Sequence, residues 1–540
     1  MNIGVSNEGE SSRTIYSCIA GQAAKTPDCP AVIELDKDGA ERTVTWEQLR
    51  RDTNKTAMYL NGLGVEKDSR VVIALPNGIP AVLTALAVWR LGACAFFLSS
   101  QLVPGEQKGL LDQIKPNLVA SSWKCEGYKS ISMTDKTIAA LAPGGDELPD
   151  LVSCPGKAMA TGGSTGVPKI ILEHTSLLYG EDDFTQWQRI TGFGKDSSQL
   201  VCGSLHHSLF NNSFYIALAM GCTNVLLKRF DEALAVKAIE KYRINALVLV
   251  PTMMSRIIRC PELDKTDIGS VTSLLHAGAA CPVWLKKDWI NLIGAEHVHE
   301  FYSMSEKVGM TYIRGDAWLE HEGSVGRPVD AGLEILSDDG EKVPAGTVGN
   351  VYFIPNKPSV TNYLLADQKL SSAAGNAVSV GDLGYLDEDG YLYLVDRRSD
   401  MIVSGGKNVY AAEVENVLRE YSKVRDIVVI GLADPTWGRR VHAIIEPDCP
   451  PEEFGIYEFT NFGFKHMSNS KLPKTIELVE ALPRDESGKL RRKTLVDERD
   501  AASDAAEKFH FINVPNGHQL YAWRAAREKA KKAKEKNKEE

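Results

Sequence analysis

Residues 161–169 read Thr161-Gly162-Gly163-Ser164-Thr165-Gly166-Val167-Pro168-Lys169 and combine glycines, hydroxyl side chains and one lysine. Glycines let backbone N–H groups approach a phosphate closely, and hydroxyl groups add further hydrogen-bond donors. Lys169 adds a positive charge, which strengthens hydrogen bonds to an anion. The segment is therefore typical of a loop that cradles a polyphosphate, and a nucleotide is the first ligand that it indicates.

The P-loop of kinases and GTPases is the obvious alternative, but it needs a glycine before its lysine, a serine or threonine after it, and a helix next. Here Pro168 precedes Lys169, Ile170 follows it, and residues 170–172 are β-branched or apolar, as in a strand. A flexible Gly/Ser loop without any ligand stays open as the other interpretation. The rest of the chain has to decide between them.

Composition narrows the class of protein. The chain has 540 residues, a net charge of −10 and a pI near 5.7, which fits a globular protein of two or more domains. A nucleic-acid-binding protein normally has a basic surface, so that class is disfavoured. No segment approaches the roughly 20 apolar residues of a membrane span, because the most apolar run ends at Arg90.

Ten cysteines are scattered without a CxxC pair, which favours neither a zinc site nor a disulfide framework. Reduced thiols fit a cytoplasmic protein best. The first ten residues lack the basic and apolar regions of a signal peptide, so we expect the protein to stay in the cytoplasm.

Short apolar strands alternate with helical patterns along the first 330 residues. Strands are predicted at 70–75, 200–202 and 246–250, and helices at 47–62 and 232–242. This rhythm predicts an α/β fold with doubly wound parallel sheets. Ligands of such sheets bind at the carboxyl ends of the strands, where the segments near His207, Gly278 and Tyr302 fall.

After Gly332 the sequence pattern changes to short strands separated by turns, which predicts a small β-rich subdomain. We therefore expect a large N-terminal domain over residues 14–396, made of doubly wound α/β subdomains plus that β-rich part. A hinge at 397–400 would lead to a small mobile α+β domain at 401–500. Residues 501–540 form a charged tail, helical or disordered, whose side chains we expect to be solvated.

Four further stretches matter because of their order and spacing. They are Gly278-Ala279-Ala280-Cys281-Pro282, Phe301-Tyr302-Ser303-Met304-Ser305-Glu306, the pair Gly381-Asp382-Leu383-Gly384-Tyr385 and Asp396-Arg397-Arg398-Ser399-Asp400, and Pro483-Arg484-Asp485-Glu486-Ser487-Gly488-Lys489-Leu490. Together with the loop at 161–169 they resemble the adenylate-forming superfamily of acyl-CoA synthetases, nonribosomal-peptide adenylation domains and luciferases. The resemblance covers about residues 14–495.

The resemblance implies roles for individual residues. The phosphates of ATP would be held by Thr161, Gly163, Ser164, Thr165, Gly166 and Lys169, the adenine by Gly278, Ala279, Ala280 and Tyr302, and the ribose by Asp382 and Arg397. Glu306, next to Ser305, would bind Mg²⁺, a hard cation that prefers carboxylate oxygens. Taken alone, Tyr302 could equally be a core residue, and each charged residue a solvated surface group.

Lys489 corresponds to the catalytic lysine of the family. Its task would be electrostatic, because a carboxylate must approach an α-phosphate that is already anionic, and a nearby cation lowers that repulsion in the transition state. Asp400 occupies the hinge position, and Gly405 and Gly406 match the glycine loop that lines the thiol tunnel. A domain rotation would then exchange Lys489 for that loop between two half-reactions.

The acid substrate is less well defined. His207 best matches the histidine that gates the acid pocket, although it could serve core packing. No Asp or Glu lies between Cys202 and Phe230, so the carboxylate that binds the ammonium group of an amino-acid substrate is missing and such a substrate is disfavoured. The stretches at 251–254 and 318–328 resemble, loosely, ligases of bile acids and steroid acids.

Three interpretations follow. The first is an ATP-dependent carboxylic acid–CoA ligase that uses ATP, Mg²⁺ and CoA, passes through an acyl-adenylate and releases AMP and pyrophosphate. The second is an adenylating enzyme that loads a separate carrier protein. The third is a non-catalytic nucleotide-binding member. The expected partners are a small carboxylic acid and CoA, without nucleic acid or a membrane span, and a homodimer stays open.

Departures from the family pattern affect both the expected loop and the expected metal site. Ile170 stands where a glycine often follows the loop lysine, and Gly162 replaces a serine or threonine. The metal motif reads Tyr-Ser-Met-Ser-Glu where the family usually has Tyr-Gly-x-Thr-Glu, so Ser305 keeps the hydroxyl but lacks a methyl group. A nicotinamide-binding protein is disfavoured, since no GxGxxG follows the first predicted strand.

Overall fold

The computed structural model describes residues 12–123, 125–142, 147–161, 169–195, 197–329, 331–356, 361–365, 371–372, 376–379, 381–485, 488–502 and 504–539, without the side chains of Thr161, Ser371 and 531–539. Four predicted phosphate ligands, Gly163, Ser164, Thr165 and Gly166, lie outside the described residues, and of Thr161 the backbone alone is described.

The helices are α1 (Ile15–Lys25), α2 (Trp46–Gly62), α3 (Ile79–Arg90), α4 (Pro104–Ile114), α5 (Asp135–Ala140), α6 (Glu181–Thr191), α7 (Ser208–Met220), α8 (Glu232–Lys241), α9 (Pro251–Ile258), α10 (Val283–Ile293), α11 (Gly315–Glu320), α12 (Ala411–Leu418), α13 (Ile456–His466), α14 (Arg492–Asp500), α15 (Ala505–Lys508) and α16 (Gly517–Glu539). Local signals explain their ends. At the start of α2, for example, the Thr45 side chain accepts from the Gln48 N–H and the Gln48 side chain accepts from the Thr45 N–H.

The strands are β1 (Arg13–Thr14), β2 (Pro30–Leu35), β3 (Glu41–Thr45), β4 (Arg70–Ala74), β5 (Cys94–Phe97), β6 (Leu118–Ser121), β7 (Ser130–Ile131), β8 (Lys157–Thr161), β9 (Lys169–Glu173), β10 (Leu178–Tyr179), β11 (Ser198–Val201), β12 (Thr223–Leu227), β13 (Ala246–Leu249), β14 (Ser273–His276), β15 (Val298–Ser303), β16 (Met310–Arg314), β17 (Arg327–Val329), β18 (Ala331–Leu336), β19 (Gly349–Pro355), β20 (Thr361–Tyr363), β21 (Ser371–Ser372), β22 (Val378–Ser379), β23 (Asp382–Leu386), β24 (Leu392–Arg397), β25 (Ile402–Ser404), β26 (Lys407–Val409), β27 (Val424–Asp434), β28 (Gly438–Pro447), β29 (Thr475–Leu478) and β30 (Ile512–Asn513).

Two largely parallel sheets form the first part of the chain. One has the order β17-β16-β15-β14-β13-β11-β12-β2-β3, parallel from β15 to β2, and the other has the order β20-β9-β8-β5-β4-β6-β7, parallel from β8 to β7. The predicted doubly wound α/β architecture is confirmed. His207 follows β11, Gly278 follows β14 and Tyr302 lies in β15, so all three are at the expected carboxyl ends.

Helices α3 and α7 are buried along most of their length and share one apolar core with strands of both sheets. Trp89 of α3 meets Tyr215 of α7 edge to face, with ring centroids 4.6 Å apart. This packing fixes the two sheets against each other. It also holds rigid the start of α7, where His207 lies.

The predicted β-rich subdomain is antiparallel, with the order β21-β22-β19-β23-β24 and with β18 paired to β19. The last part of the chain folds around the long hairpin β27–β28, and its core is separate from that of the large domain. In the region predicted as a charged tail, β30 pairs with β29, and Leu520 of α16 is 2% exposed. Residues after 500 therefore contribute to the packing of the small domain.

All ten cysteines lie within the described residues, and none forms a disulfide. A search of the described helices finds none with both the length and the apolar character to cross a membrane.

Gly326, just before β17, provides a stability test. Its φ is +97°, and a Cβ there would overlap the Tyr312 carbonyl oxygen of the neighbouring strand. Gly340 has a φ of +83° but nothing within 4 Å of such a Cβ. We expect Gly340→Ala to lower the free energy of unfolding by ~1–2 kcal/mol, from backbone strain alone, and Gly326→Ala to lower it clearly further. Urea unfolding of both variants measures this, and equal losses would contradict the described packing of β16 on β17.

Candidate active site

A cleft of about 2800 Å³ opens between the large and small domains. The large domain lines it with residues that follow β11, β13, β14 and β15, and with the ends of β23 and β24. The small domain lines it with the turn that carries Gly488 and Lys489 and with part of α14. Predicted site residues that are far apart in sequence therefore face one space.

Glu306 lies in one corner of this cleft, and its position is fixed from two sides. Its carboxylate accepts a hydrogen bond from the Tyr363 hydroxyl at 2.7 Å, and its backbone carbonyl accepts one from Thr361. The Lys169 ammonium is 4.9 Å from the centre of the Tyr363 ring. A held carboxylate next to a lysine suits a hard cation that bridges phosphates, so this donor set fits Mg²⁺ and a triphosphate.

A second group of site residues in the cleft comprises Tyr302, Asp382 and Arg397. Asp382 and Arg397 are paired across β23 and β24, and Arg397 Nε is 3.2 Å from Asp382 Oδ1. The Tyr302 hydroxyl donates to Asp382 Oδ2. Burial, together with the Asp382 charge, raises the pKa of Tyr302, so its hydroxyl stays a donor at neutral pH. A carboxylate acceptor beside a guanidinium fits the two hydroxyl groups of a ribose.

Gly278, Ala279 and Ala280 line the same cleft as Tyr302. Gly278 has a φ of +89°, which favours glycine and lets the chain turn directly after β14. The predicted adenine-binding residues therefore all line the same cleft. Ser305 also lines the cleft, next to Glu306.

Lys489 enters the cleft from the small domain. Its side chain stays exposed to the space of the cleft, while protein from both domains surrounds it. This partial burial lowers the pKa of its ammonium group, and the Arg397 charge lowers it further, whereas Asp485 and Glu306 raise it. Lys489 is therefore near enough to both Glu306 and Arg397 for their charges to act on it.

His207 lies at the start of α7, close to Lys489. Its Nε2 is buried and has no hydrogen-bond partner among the described residues. Burial, and next the Lys489 charge, lower the pKa of His207 to about 4, so the imidazole is neutral at pH 7. The centroid of the His207 ring is 4.1 Å from that of the His206 ring. His206 Nδ1 is hydrogen-bonded to the Ser204 hydroxyl at 2.6 Å. A neutral, unpartnered ring nitrogen can bind a polar atom of a substrate.

The small domain docks through a turn that needs glycine. Gly488 has a φ of +76°, and a Cβ there would overlap the Thr252 hydroxyl at the start of α9. Arg491 forms an ion pair with Glu106 of the large domain at 2.8 Å. These contacts hold Lys489 where it faces the cleft.

The predicted hinge residue, Asp400, is tied to the small domain. Its Oδ2 accepts from Arg492 Nη1 at 2.8 Å, and Arg492 Nη2 donates to Glu415 at 2.6 Å. The described residues that line the cleft do not include Gly405 or Gly406, which lie between β25 and β26 beside Trp437. The structure thus brings Lys489, and not the glycine loop, to the site.

Three side chains at the site were missed from the sequence. The Tyr363 side chain donates a hydrogen bond to Glu306, and Arg492 donates one to Asp400. Glu300 lines the cleft two residues before Tyr302 and forms an ion pair with Lys286 at 2.5 Å. Tyr363 and Glu300 belong to no glycine-rich or charged motif, whereas Arg492 lies in the basic run 491–493 that directly follows the stretch 483–490. A buried charge within an apolar strand was the signal available for Glu300.

Comparison with known families agrees with this geometry. The sequence model of the AMP-binding enzymes matches residues 19–361, and that of the AMP-binding enzyme C-terminal domain matches residues 413–489.

Similar characterised proteins are CoA ligases. The chain is 28% identical to the 2-succinylbenzoate–CoA ligase of Bacillus licheniformis, over 88% of this chain and 98% of the relative. It is 30% identical to the feruloyl-CoA synthase of an Amycolatopsis species, over 83% of this chain and 92% of the relative. Neither is named for a bile acid, and that part of the resemblance stays a prediction.

Solved structures show the same fold. The o-succinylbenzoate CoA synthetase of Bacillus subtilis, in complex with its acyl-adenylate intermediate, superposes with a TM-score of 0.74 at 25% identity, over 90% of this chain and 98% of that one. An anthranilate CoA ligase in complex with anthranoyl-AMP has a TM-score of 0.76 at 20% identity, over 92% and 99% of the chains, and supports the fold alone. The chain therefore belongs to the family of AMP-binding enzymes, in the acyl-CoA synthetase branch of the adenylate-forming superfamily.

Proposed function

We propose that the chain is an ATP-dependent ligase that joins a carboxylic acid to CoA, with ATP, Mg²⁺ and CoA as its reactants and cofactor. The observation that carries this proposal is the meeting of Lys489, from the small domain, with Glu306 and the Asp382–Arg397 pair of the large domain in one cleft. These groups are suited to a triphosphate, its metal ion, a ribose and an approaching carboxylate.

In the first half-reaction a carboxylate oxygen of the acid attacks the α-phosphorus of ATP. The bond from this phosphorus to the bridging oxygen breaks, pyrophosphate leaves, and an acyl-adenylate forms. We propose that the charge of Lys489 offsets the repulsion between the two anions, an effect that grows as charge develops in the transition state. Mg²⁺, when bound at Glu306, would neutralise charge on the phosphate oxygens.

In the second half-reaction the CoA sulfur attacks the acyl carbon. The bond from this carbon to the phosphate oxygen breaks, and AMP leaves. The proton of the thiol is transferred to solvent or to a base. We propose that Asp382 and Arg397 keep the ribose in place throughout, and that rotation about the hinge at 397–400 replaces Lys489 by the loop of Gly405 and Gly406. The division into domains at 14–396 and 401–500 belongs to the same proposal.

The acid that this site accepts is proposed to be bulky and largely apolar. Partly exposed apolar side chains line the cleft, namely Leu209, Phe230, Trp284, Phe301 and Met304. No Asp or Glu lies between Cys202 and Phe230 to bind an ammonium group. An aromatic, long aliphatic or steroid acid fits this lining better than an amino acid does. We further propose a cytoplasmic location, which ten unpaired thiols suit, and a homodimer stays open.

Replacement of Lys489 tests the assigned chemistry. We expect Lys489→Ala to slow adenylate formation by about 100- to 1,000-fold, as for the loss of one transition-state donor, while ATP binding is largely kept. Pyrophosphate release and calorimetric ATP binding measure the two effects. Thioester formation from a supplied acyl-adenylate is the control and should change little. Full retention of the first half-reaction would remove Lys489 from the mechanism.

The lowered pKa of Lys489 gives a pH test. The charged ammonium is the active form, so adenylate formation is present below its pKa and is lost as pH rises through it. Because burial and Arg397 lower this pKa from the ordinary value of 10.5, the loss should begin at a lower pH than for an exposed lysine.

In Lys489→Arg the side chain stays charged above pH 12. We therefore expect this variant to be slower at neutral pH but to lack the alkaline decline in kcat/KM for ATP. The same decline in both proteins would show that another group titrates.

Gly488 allows the two half-reactions to be separated. In Gly488→Ala the new Cβ meets Thr252, so the small domain should dock poorly in the orientation that presents Lys489. We expect slower adenylate formation and a normal rate from a supplied adenylate. In the double variant Gly488→Ala/Thr252→Ala the overlap is removed, and part of the first rate should return. Equal losses in both half-reactions would contradict this docking role.

A further inference from the structure

A buried carboxylate lies between two lysines near the metal corner of the cleft. Lys307 Nζ donates to Glu173 Oε1 at 2.6 Å, and Lys157 Nζ is 3.8 Å from Glu173 Oε2. Thr175 donates to Glu173 Oε1 at 2.8 Å. All three charged side chains are at most 10% exposed. We call Lys157, Glu173 and Lys307 the buried triad.

The triad lies where several elements of the site converge. Lys157 and Glu173 are directly opposite each other in the hairpin β8–β9, whose connection is the predicted phosphate loop. Thr361, which bonds to the Glu306 carbonyl, is opposite Glu173 on the other side of β9. Lys307 directly follows Glu306 in the chain. One carboxylate thus joins the phosphate hairpin to the segment that carries the metal ligand.

Lys307 adopts a backbone conformation that lysine rarely takes, with a φ of +50°. Such a conformation costs free energy and persists where surrounding contacts fix it. The ion pair with Glu173 is a contact of this kind. The carboxylate of the preceding residue, Glu306, is held separately by the Tyr363 hydroxyl.

Lys157, the second lysine of the buried triad, contacts helix α7. Lys157 donates to the side-chain oxygens of Asn211, at 3.4 Å, and of Asn212. Asn211 in turn donates to the Leu205 carbonyl at 2.8 Å, which fixes the segment that leads into His206 and His207. The same carboxylate is therefore connected to the acid side of the cleft.

The opposite charges of the buried triad stabilise one another. Burial opposes ionisation of Glu173, but Lys157 and Lys307 outweigh it and lower the pKa of the carboxyl to about 2. Burial lowers the pKa of Lys157 to about 8, against the opposing effect of Glu173. At neutral pH the carboxylate is charged, and it is the partner that both lysines need inside the protein.

We propose that Glu173 is a positioning residue for the metal and nucleotide site. Through Lys307 it fixes the Glu306 segment on the phosphate hairpin, and through Lys157 it fixes that hairpin on α7. This inference rests on the proposed function, since it concerns the binding of MgATP. Without Glu173, the Lys307 ammonium would lose its partner and compete with the metal ion for the neighbouring Glu306.

The test compares Glu173→Gln and Lys307→Met with the wild-type protein. Both remove the contact that anchors the Glu306 segment, and in Lys307→Met the pair of Lys157 and Glu173 is kept. We expect the Mg²⁺ concentration for half-maximal ATP binding, measured by calorimetry without any acid, to rise about 10-fold or more, as for the loss of a residue that orients a metal ligand. Lys307→Arg keeps the charge and should stay near the wild-type value.

Glu477→Gln is the matched control. Glu477 forms a comparably buried pair with Arg499 at 2.8 Å, but in the core of the small domain. The Glu477→Gln substitution should lower the thermal midpoint of unfolding without changing the Mg²⁺ concentration needed for ATP binding. A Mg²⁺ requirement within twofold of wild type in both Glu173→Gln and Lys307→Met would overturn the positioning role, as would an equal rise in Glu477→Gln. Absence of MgATP binding by the wild-type protein would instead overturn the proposed function, and this inference with it.

Discussion

The charge of Lys489, delivered by one domain to the anion-binding groups of another, is the constraint on which the rest of the site depends. A cation in the same cleft as Glu306 and Arg397 is useful when a carboxylate has to approach a phosphate, and costly otherwise, because burial disfavours its charged form. Mounting it on a separate small domain lets it be withdrawn. The glycine at 488 permits the close contact with Thr252 that brings it in.

The large domain meets this cation with groups whose positions are fixed by contacts within the protein. Asp382 is held by Arg397 and by Tyr302, while Glu306 is held by Tyr363. Such preorganisation lowers the reorganisation needed when charge develops. The carboxyl ends of the parallel strands supply the positions, and the packed helices α3 and α7 keep them rigid.

The fold and the family could be predicted because glycine-rich and charged motifs follow one another at characteristic spacings, and because apolar strands alternate with helical patterns. The contacts that hold the site residues in place could not be predicted from the sequence. Glu173 and Lys307 are 134 residues apart, and Tyr363 lies 57 residues after Glu306. Contacts over such separations leave no local pattern, since they arise when β9, β20 and the segment 306–307 come together in the folded protein. The extent of the small domain was also hidden, because β30 is a strand of two residues.

The central claim is that one cleft makes an acyl-adenylate and then a thioester. Mass spectrometry of the products is its most direct test, with ATP, Mg²⁺ and a mixed pool of aromatic, aliphatic and steroid acids, in parallel with and without CoA. The account predicts AMP, pyrophosphate and an acyl-CoA when CoA is present, and an enzyme-bound acyl-adenylate when it is absent. AMP formation that never yields an acyl-CoA, for any acid that is adenylated, would contradict it and favour a carrier protein as the acceptor.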